Sequence, residues 1–563
     1  MNHAIGRIKQ DIKNQIEHTF HVSRVSIIKP PPNVDADLSI PLQSLAKELG
    51  TSAEQQSDAI LEALGALGLH AVFERGFINI KLNRSMFLES MAQDYDQKGE
   101  SYGAQNIGQQ ANVVMDISSP NVAKPMSVGH LRSTIIGDAL YRVLAFSEFA
   151  TTSINYYADW GTQFGTLLYG FHHWLDHEAY RENPIQELLR IYIEFEKQAT
   201  ENEILRQDAR AWSVRLEQQD PQAVSYWEDI VANSFKEFDK IYGALDVTFD
   251  HLVGESQFAT QAQEIVDDLL ARNIAEMSEG CAIVRLEEYG IETPFVLRRS
   301  DGATLYSARD IASALWRIRT FNPKKMIYVV GVDQKLHFKQ LFATLDKLGH
   351  GDIEYIHIDF GLVSLPEGKM STRRGRVVFL EDLLKESVER AKELAQTGAV
   401  SLNEVLDDAT FHAIGIGAVK YADLSQNRIK NITFTWEKML AFEGNSGPYL
   451  MYAYARAKRI LSQTSGLEKP DSGVEVGDAQ WALMLQLARF PEAVSDVVHT
   501  LNPHILAHYT YELCQAFSLF YNKIPVLKAE EKERATRLWL VGCFVKTLQT
   551  CFKLLNITPV ERM

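Results

Sequence analysis

"MDISSPNVAKPMSVGHLRSTIIGDAL", Met115 to Leu140, begins as an apolar strand, breaks at Ser-Pro-Asn, passes a Gly-His pair and re-forms as a helix. From Ala111 upstream, "ANVVMDIS" is the continuous apolar run that a strand covered on both faces requires, and "TTSINYYA" from Thr151 reads as a second strand. Strand, helix, strand is the βαβ unit of a parallel sheet. In such sheets ligands bind beyond the carboxyl ends of the strands, where a helix N-terminus offers unpaired NH groups and a positive dipole to anions. Gly129 lets backbone or ligand come close at that point, and His130 can donate a hydrogen bond to a phosphate. Taken alone, the pair suits a helix cap or a core histidine at least as well.

The chain has 563 residues, long enough for two to four domains. An apolar fraction of 46% and a charged fraction of 23% describe an ordinary globular protein. The net charge of -16 argues against a broad polyanion-binding surface, yet "YARAKRI" (Tyr454 to Ile460) and "KERATRL" (Lys532 to Leu538) are locally basic, and a polyanion meets local patches. Cys281, Cys514, Cys543 and Cys551 form no C-x-x-C pair, which disfavours a disulfide framework or a zinc knuckle. The N-terminus reads as an amphipathic helix without a cleavable apolar core, and no run approaches about 18 apolar residues. A cytoplasmic protein with no membrane and no DNA partner is the expectation.

Residues 1–110 alternate helical periodicity ("AILEALGALGL") with short strand-like runs ("HAVFERGFINIKL"), which suits a small α+β domain. Residues 111–395 hold the sheet, with polar helical sequence dominating from about 165 to 290 and insertions placed at about 165–235 and 256–296. "TLYSARDIASALWRI", "KKMIYVVGV" and "IEYIHIDFGLVSL" then resume the helix and strand alternation. From 396 to 563 the apolar stripes of "WALMLQLARF" and "ILAHYTYELCQAFSLFYNKI" imply an all-α bundle. The fold class is therefore multidomain α/β: a parallel-sheet domain with helical insertions between an N-terminal α+β domain and a C-terminal helical bundle.

No G-x-x-x-x-G-K-[ST] loop is present, and no G-x-G-x-x-G follows the first strand, which disfavours a dinucleotide oxidoreductase. Downstream, "PEGKMSTRRG" (Pro366 to Gly375) gathers Lys369, Ser371, Thr372, Arg373 and Arg374 on a Gly-bounded loop able to hold a pyrophosphate. Tyr306 and Asp310 stand four apart, so a helix through "LYSARDIASAL" puts both on one face, as a ring wall and carboxylate clamp for a guanidinium require. Asp310 is equally able to pair with Arg309 or Arg317.

A Gly-His helix start followed some 240 residues later by Lys-Met-Ser resembles the paired signature of class I aminoacyl-tRNA synthetases. "ADWGTQFG", "GES", "SDGATLYSARDIASAL", "FEGNSGPYLMYAYAR" and the terminal "ITPVERM" narrow the likeness to the arginyl-tRNA synthetase family, from residue 111 onward and more loosely before it. The resemblance implies a Rossmann-like catalytic sheet, ATP-dependent formation of arginyl-adenylate, and transfer of arginine to the cognate tRNA(Arg). ATP would enter as its magnesium complex, with no tightly held protein-ligated metal. Ser127, Gly129, His130, Lys369 and Ser371 are the implied catalytic residues. Arginine would contact Asp116, Ser119, Asn121, His130, Glu255, Tyr306, Asp310 and Gln334. ATP would contact Gly129, His130, His337, Lys369, Met370 and Ser371, and tRNA would meet Tyr449, Tyr454 and Arg456.

The implied roles of the outer domains are tRNA-elbow contact at the N-terminus and anticodon binding at the C-terminus, in a monomer. Two positions depart from the family pattern. Ser127 replaces the usual first histidine of His-x-Gly-His, leaving a hydroxyl that can still donate one hydrogen bond, and Thr372 replaces the second lysine of the downstream loop.

Overall fold

The run from Ala111 forms the central strand, Asn112–Ser118, of a five-stranded sheet in a computed structural model, which describes residues 3–31, 33–364, 379–396, 406–464, 466, 468–471 and 473–563. Along this strand Val113, Met115 and Ile117 enter one apolar cluster and Val114 enters another, because successive side chains point to opposite faces. Both faces are covered, which is why the sequence reads as an unbroken apolar run. Asp116 shares the face of Val114 and is 3% exposed, so a carboxylate stands where the pattern calls for an apolar group.

The sheet order is Glu354–Phe360, Lys325–Gly331, Asn112–Ser118, Ala150–Tyr157 and His251–Gly254, with every pairing parallel. This is a doubly wound arrangement whose winding reverses between Asn112–Ser118 and Lys325–Gly331, so a crevice must open at the carboxyl ends of those two strands. The helix Val128–Phe146 crosses back over the first strand. It comes close because Gly137 faces Ile117: a Cβ at Gly137 would lie 2.5 Å from the Ile117 Cβ.

Five helices, Thr162–Trp174, His177–Glu182, Pro184–Glu201, Ile204–Glu217 and Pro221–Ala244, form the first insertion. The second differs from the polar helical reading of that stretch. After helix Ala259–Ala271 it builds a three-stranded antiparallel sheet from Glu276–Ser278, Cys281–Leu286 and Ile291–Arg298. Ala282, Val284 and Leu286 of this sheet enter one apolar cluster at alternate positions, the period of a strand.

The N-terminal part packs four helices on an antiparallel sheet ordered Leu38–Pro41, Phe77–Lys81, His70–Glu74. The C-terminal part is built from helices including Asp408–Leu424, Gly447–Leu461, His504–Lys523 and Glu531–Leu554. It is tied to the helix Val128–Phe146 by buried polar contacts. Arg132 pairs with Asp423 at 3.0 Å, and Asn556 Nδ2 donates to Asp138 at 2.7 Å.

Candidate active site

Beyond the carboxyl end of the central strand the chain runs through Ser119 and Asn121 to the start of the helix Val128–Phe146, and Asn121 bridges to Ala158 of the neighbouring crossover. The Ser127 backbone NH donates to His130 Nδ1 at 3.0 Å. That contact makes Nδ1 the acceptor, so Nε2 carries the proton and is left as the donor. Burial lowers the His130 pKa below its ordinary value, so the ring is neutral at physiological pH. Gly129 is exposed, has no positive φ, and a Cβ there would meet only Ser127 Oγ at an ordinary 3.5 Å. The fold does not demand glycine at this position; the missing side chain leaves open space above the helix start. Phe379 bridges Ser127, which brings the chain that follows the Lys-Met-Ser stretch to the same point. Lys369, Met370 and Ser371 themselves lie outside the described residues.

At the reversal of the sheet sits a cavity of about 300 Å³. The helix Tyr306–Phe321 lines it with Tyr306, Asp310, Ser313 and Arg317, whose spacing of four, three and four stacks them on one face. Asp310 Oδ2 lies 2.7 Å from His337 Nε2, and the Tyr306 ring packs 4.9 Å from the same imidazole. Deeper in, Arg317 is sandwiched between the Tyr156 and Tyr328 rings, 5.1 Å from each, and donates to Asp116 Oδ2 at 2.9 Å. Glu255 accepts from Arg309 Nε at 3.0 Å.

Burial pushes Asp116 up to about 6 and Glu255 up to about 7, and the neighbouring arginines offset only part of that rise. Each of the three carboxylates thus holds a basic partner from the chain itself. Asp310 is paired with the weakest of these, an imidazole, and its side chain is 19% exposed to the cavity mouth.

Asp116, Ser119, Glu255, Tyr306, Asp310 and Gln334, all assigned to arginine from the sequence, line this one cavity. Asn121 and His130, also assigned to arginine, do not line it, though Asn121 bridges Ala158, which does. His337, placed with ATP by sequence reasoning, turns into the cavity against Asp310. Asp310 pairs with neither Arg309 nor Arg317, whose partners are Glu255 and Asp116. Sequence reasoning missed Arg317, Tyr156, Tyr328 and Ser313. Carrying the Tyr306 and Asp310 spacing on by two further steps would have reached Ser313 and Arg317.

In the C-terminal part the guanidinium of Arg456 lies 4.5 Å from the Tyr452 ring and 4.6 Å from that of Tyr521, on the ridge between two surface grooves of about 1000 Å³ each. Tyr449 lines one of them. Tyr454 corrects the expectation of a tRNA contact: it is 2% exposed and packs edge-on against Phe552. Positions 449, 452 and 456 share one helix face, and 454 falls on the opposite one. Among the described residues no group of three or more His, Cys, Asp or Glu is arranged to hold a metal ion, and no helix is long and apolar enough to cross a membrane.

Residues 94–436 match the family "tRNA synthetases class I (R), catalytic domain", and residues 450–563 match the "DALR anticodon binding domain". The chain is 36% identical over 561 residues to the arginine–tRNA ligase of Clostridium kluyveri, covering 98% of this chain and 99% of that one. It is 38% identical over 490 residues to that of Halothermothrix orenii, covering 86% of each. Among solved structures, the arginyl-tRNA synthetase of Plasmodium falciparum superposes with a TM-score of 0.83 at 26% identity over 100% of both chains. That of Thermus thermophilus, at 24% identity and 99% coverage of both, shares the fold with a TM-score of 0.84.

Proposed function

From the premise that the chain belongs to the class I arginyl-tRNA synthetases, we propose that the Asp310 cavity takes the side chain of L-arginine and that the helix start at His130 takes the phosphates of ATP. The protein is an arginine–tRNA ligase with arginine, ATP and tRNA(Arg) as its substrates. The observation that carries the site assignment is the convergence of Tyr306, Asp310 and Glu255 on one acidic cavity at the reversal of the sheet. A guanidinium is a planar fork of donors, which a carboxylate receives through two parallel bonds and a lysine ammonium cannot reproduce.

The chemistry follows from placement. An oxygen of the arginine carboxylate attacks the α-phosphorus of ATP, the bond to the bridging oxygen of pyrophosphate breaks, and arginyl-adenylate forms. The terminal ribose hydroxyl of the tRNA then attacks the carbonyl carbon and AMP leaves. No side-chain nucleophile is needed, so the protein's work is to align the reactants and stabilise charge. Asp310 and Glu255 hold the guanidinium beside the Tyr306 ring, and Gln334 adds a neutral partner. Asp116 is neutralised by Arg317, so its role at the substrate ammonium is indirect, and Ser119 and Asn121 are nearer in the chain to that end. The His130 Nε2 proton and the open space at Gly129 suit the α-phosphate, with Ser127 fixing the ring from behind through its backbone.

Lys369, Met370 and Ser371 are assigned to the departing pyrophosphate by their motif. ATP arrives with magnesium on its phosphates. Tyr449 and Arg456 contact tRNA on the C-terminal helices, residues 1–110 reach its elbow, and the enzyme works as a monomer in the cytoplasm. Radiolabelled arginine incubated with ATP and tRNA(Arg) should appear in acid-precipitable tRNA, and unlabelled lysine should not compete. No labelled tRNA at saturating ATP overturns the reading.

A further inference from the structure

The strand Ala150–Tyr157 lies between Asn112–Ser118 and His251–Gly254 in the parallel sheet, and just past its end two successive residues reach to opposite sides. Ala158 turns to the loop that follows Asn112–Ser118. Its NH donates to the Pro120 carbonyl at 3.0 Å and its carbonyl accepts from the Val122 NH at 3.1 Å, so the two bonds enclose Asn121. Asp159 turns the other way. Its Oδ1 accepts from the Ser256 NH at 2.8 Å and its Oδ2 from the Ser256 hydroxyl at 2.6 Å. Ser256 follows Glu255 in the short turn Glu255–Phe258, so the clamp sits one residue from a carboxylate that lines the cavity.

The surroundings of Asp159 are built to hold it in this place. The residue is 1% exposed, and its own carbonyl accepts from Trp227 Nε1 at 2.8 Å. A Cβ at Gly254 would lie 2.5 Å from Asp159 Oδ2, so the bare backbone of Gly254 is what lets the carboxylate come against the strand end. Burial raises the Asp159 carboxyl above its ordinary range, and the two bonds from Ser256 are the largest effects opposing that rise. Ala158 and Glu255 both line the cavity, whereas Asp159 and Ser256, which join them, stand behind its wall.

We propose that Asp159 is a positioning residue that fixes the separation between the two ends of the arginine site and so selects the length of the side chain the site accepts. The proposal rests on the assignment of arginine to this cavity, with Asn121 toward the substrate ammonium and Glu255 at the guanidinium. Glu255 has a second holder, Arg309 Nε at 3.0 Å, but Arg309 belongs to the helix Tyr306–Phe321 that also carries Asp310. Arg309 therefore keeps Glu255 in step with Asp310 and leaves its distance from Asn121 unset. The path from Asn121 through Ala158, Asp159 and Ser256 to Glu255 consists of backbone and one short side chain, which leaves little slack. Neighbouring strands stand about 4.8 Å apart, so it spans roughly 10 Å between the outer two strand ends. A ligand one methylene longer or shorter must then misplace its ammonium or its guanidinium, and hydrogen bonds weaken steeply as their geometry departs from the optimum.

The test is equilibrium dialysis of radiolabelled arginine on the full-length enzyme, with unlabelled homoarginine, one methylene longer, and norarginine, one methylene shorter, as competitors. The unaltered enzyme should prefer arginine to each by about tenfold or more. Ser256→Ala removes the hydroxyl bond, and Asp159→Asn turns a donor toward that hydroxyl while keeping an acceptor for the Ser256 NH. Each should lower at least one of the two preferences to about threefold or less. A merely structural role would weaken all three ligands together. Preferences that stay within about twofold of the parent in both variants, however far arginine affinity itself falls, overturn the proposal, as does a parent that binds the homologues as well as arginine. Asp310→Asn separates this inference from the reading beneath it. If it abolishes arginine binding while Ser256→Ala and Asp159→Asn keep both preferences, the length selection fails and the cavity assignment stands; if it binds arginine normally, the assignment fails and the length selection with it.

Discussion

Replacing Asp310 by Asn tests the cavity at its most specific point. The carboxylate meets His337 Nε2 at 2.7 Å and is open enough, at 19% side-chain exposure, for a ligand to reach it. Asn keeps the shape and one acceptor, so the imidazole retains a partner and the loss to folding should stay near 1 kcal/mol or less. The loss to substrate is larger. One oxygen becomes an NH2 group that points a donor at a guanidinium donor, and the charge that offsets desolvation of the guanidinium disappears. Removing one member of a buried, hydrogen-bonded charge pair costs about 2–5 kcal/mol, or roughly 30- to 4000-fold at 1.4 kcal/mol per decade. The assay is kcat/KM for arginine in tRNA charging at saturating ATP and tRNA, with the KM for ATP and the thermal midpoint measured on the same preparation. A kcat/KM within about threefold of the parent would refute the reasoning, because no bidentate contact to a guanidinium is worth so little. A parallel collapse of the thermal midpoint would refute it too, by showing that the pair with His337 serves the fold.

Glu255, pushed up to about 7 by burial that Arg309 only partly offsets, must be ionised to hold a guanidinium, so the KM for arginine should fall as pH rises from 6 to 8 and flatten in Glu255→Gln. Calorimetry near pH 6.5 in buffers of different ionisation enthalpy should detect proton release on arginine binding in the parent alone. For folding the sign is opposite: the raised pKa favours the fold below the unfolded value of about 4.5, and that contribution is lost as pH rises through 7, so the glutamine variant should gain thermal midpoint relative to the parent between pH 5 and 8. Gly129→Ala should leave the thermal midpoint unchanged or raise it, since alanine suits a helix by about 0.5–1 kcal/mol and meets only Ser127 Oγ, while the KM for ATP rises at least about tenfold. A fall in stability with normal ATP use would show that Gly129 serves the fold.

The parts that were legible in the sequence are those set by neighbours along the chain. The strand Asn112–Ser118, the helix start at Ser127 and the shared face of Tyr306 and Asp310 all follow from periodicity within one element. The antiparallel strands from Glu276 to Arg298 escaped because they are short and because Ala282, Ile283 and Val284 are buried in succession, which breaks the alternation. Tyr454 was misplaced because the helix Gly447–Leu461 is apolar or aromatic on much of its circumference, and only packing against Phe552 decides which tyrosine turns inward. The contact between His337 and Asp310 was not legible because the two come from different helices, 27 residues apart.

The same cause hid the pairs that brace the site, although their halves carry a signal of their own. Asp116 interrupts an apolar strand, Arg317 interrupts the buried stripe of its helix, and Arg132 and Asp423 do the same in theirs; all four are 0–3% exposed. An unpaired ion costs several kcal/mol to bury, so each such interruption demands an opposite charge from elsewhere. These two cations and two carboxylates can pair with one another in two ways. Strand pairing separates them: Asp116 lies opposite Tyr328, whose ring flanks Arg317, on the cavity side of the sheet, whereas Arg132 points to the face where Phe360 and the C-terminal helices lie. Charges embedded in apolar periodicity therefore mark where distant elements must meet. Here they mark two of the places where the parallel sheet is tied to the elements around it: the helix that lines the cavity, and the helix Asp408–Leu424.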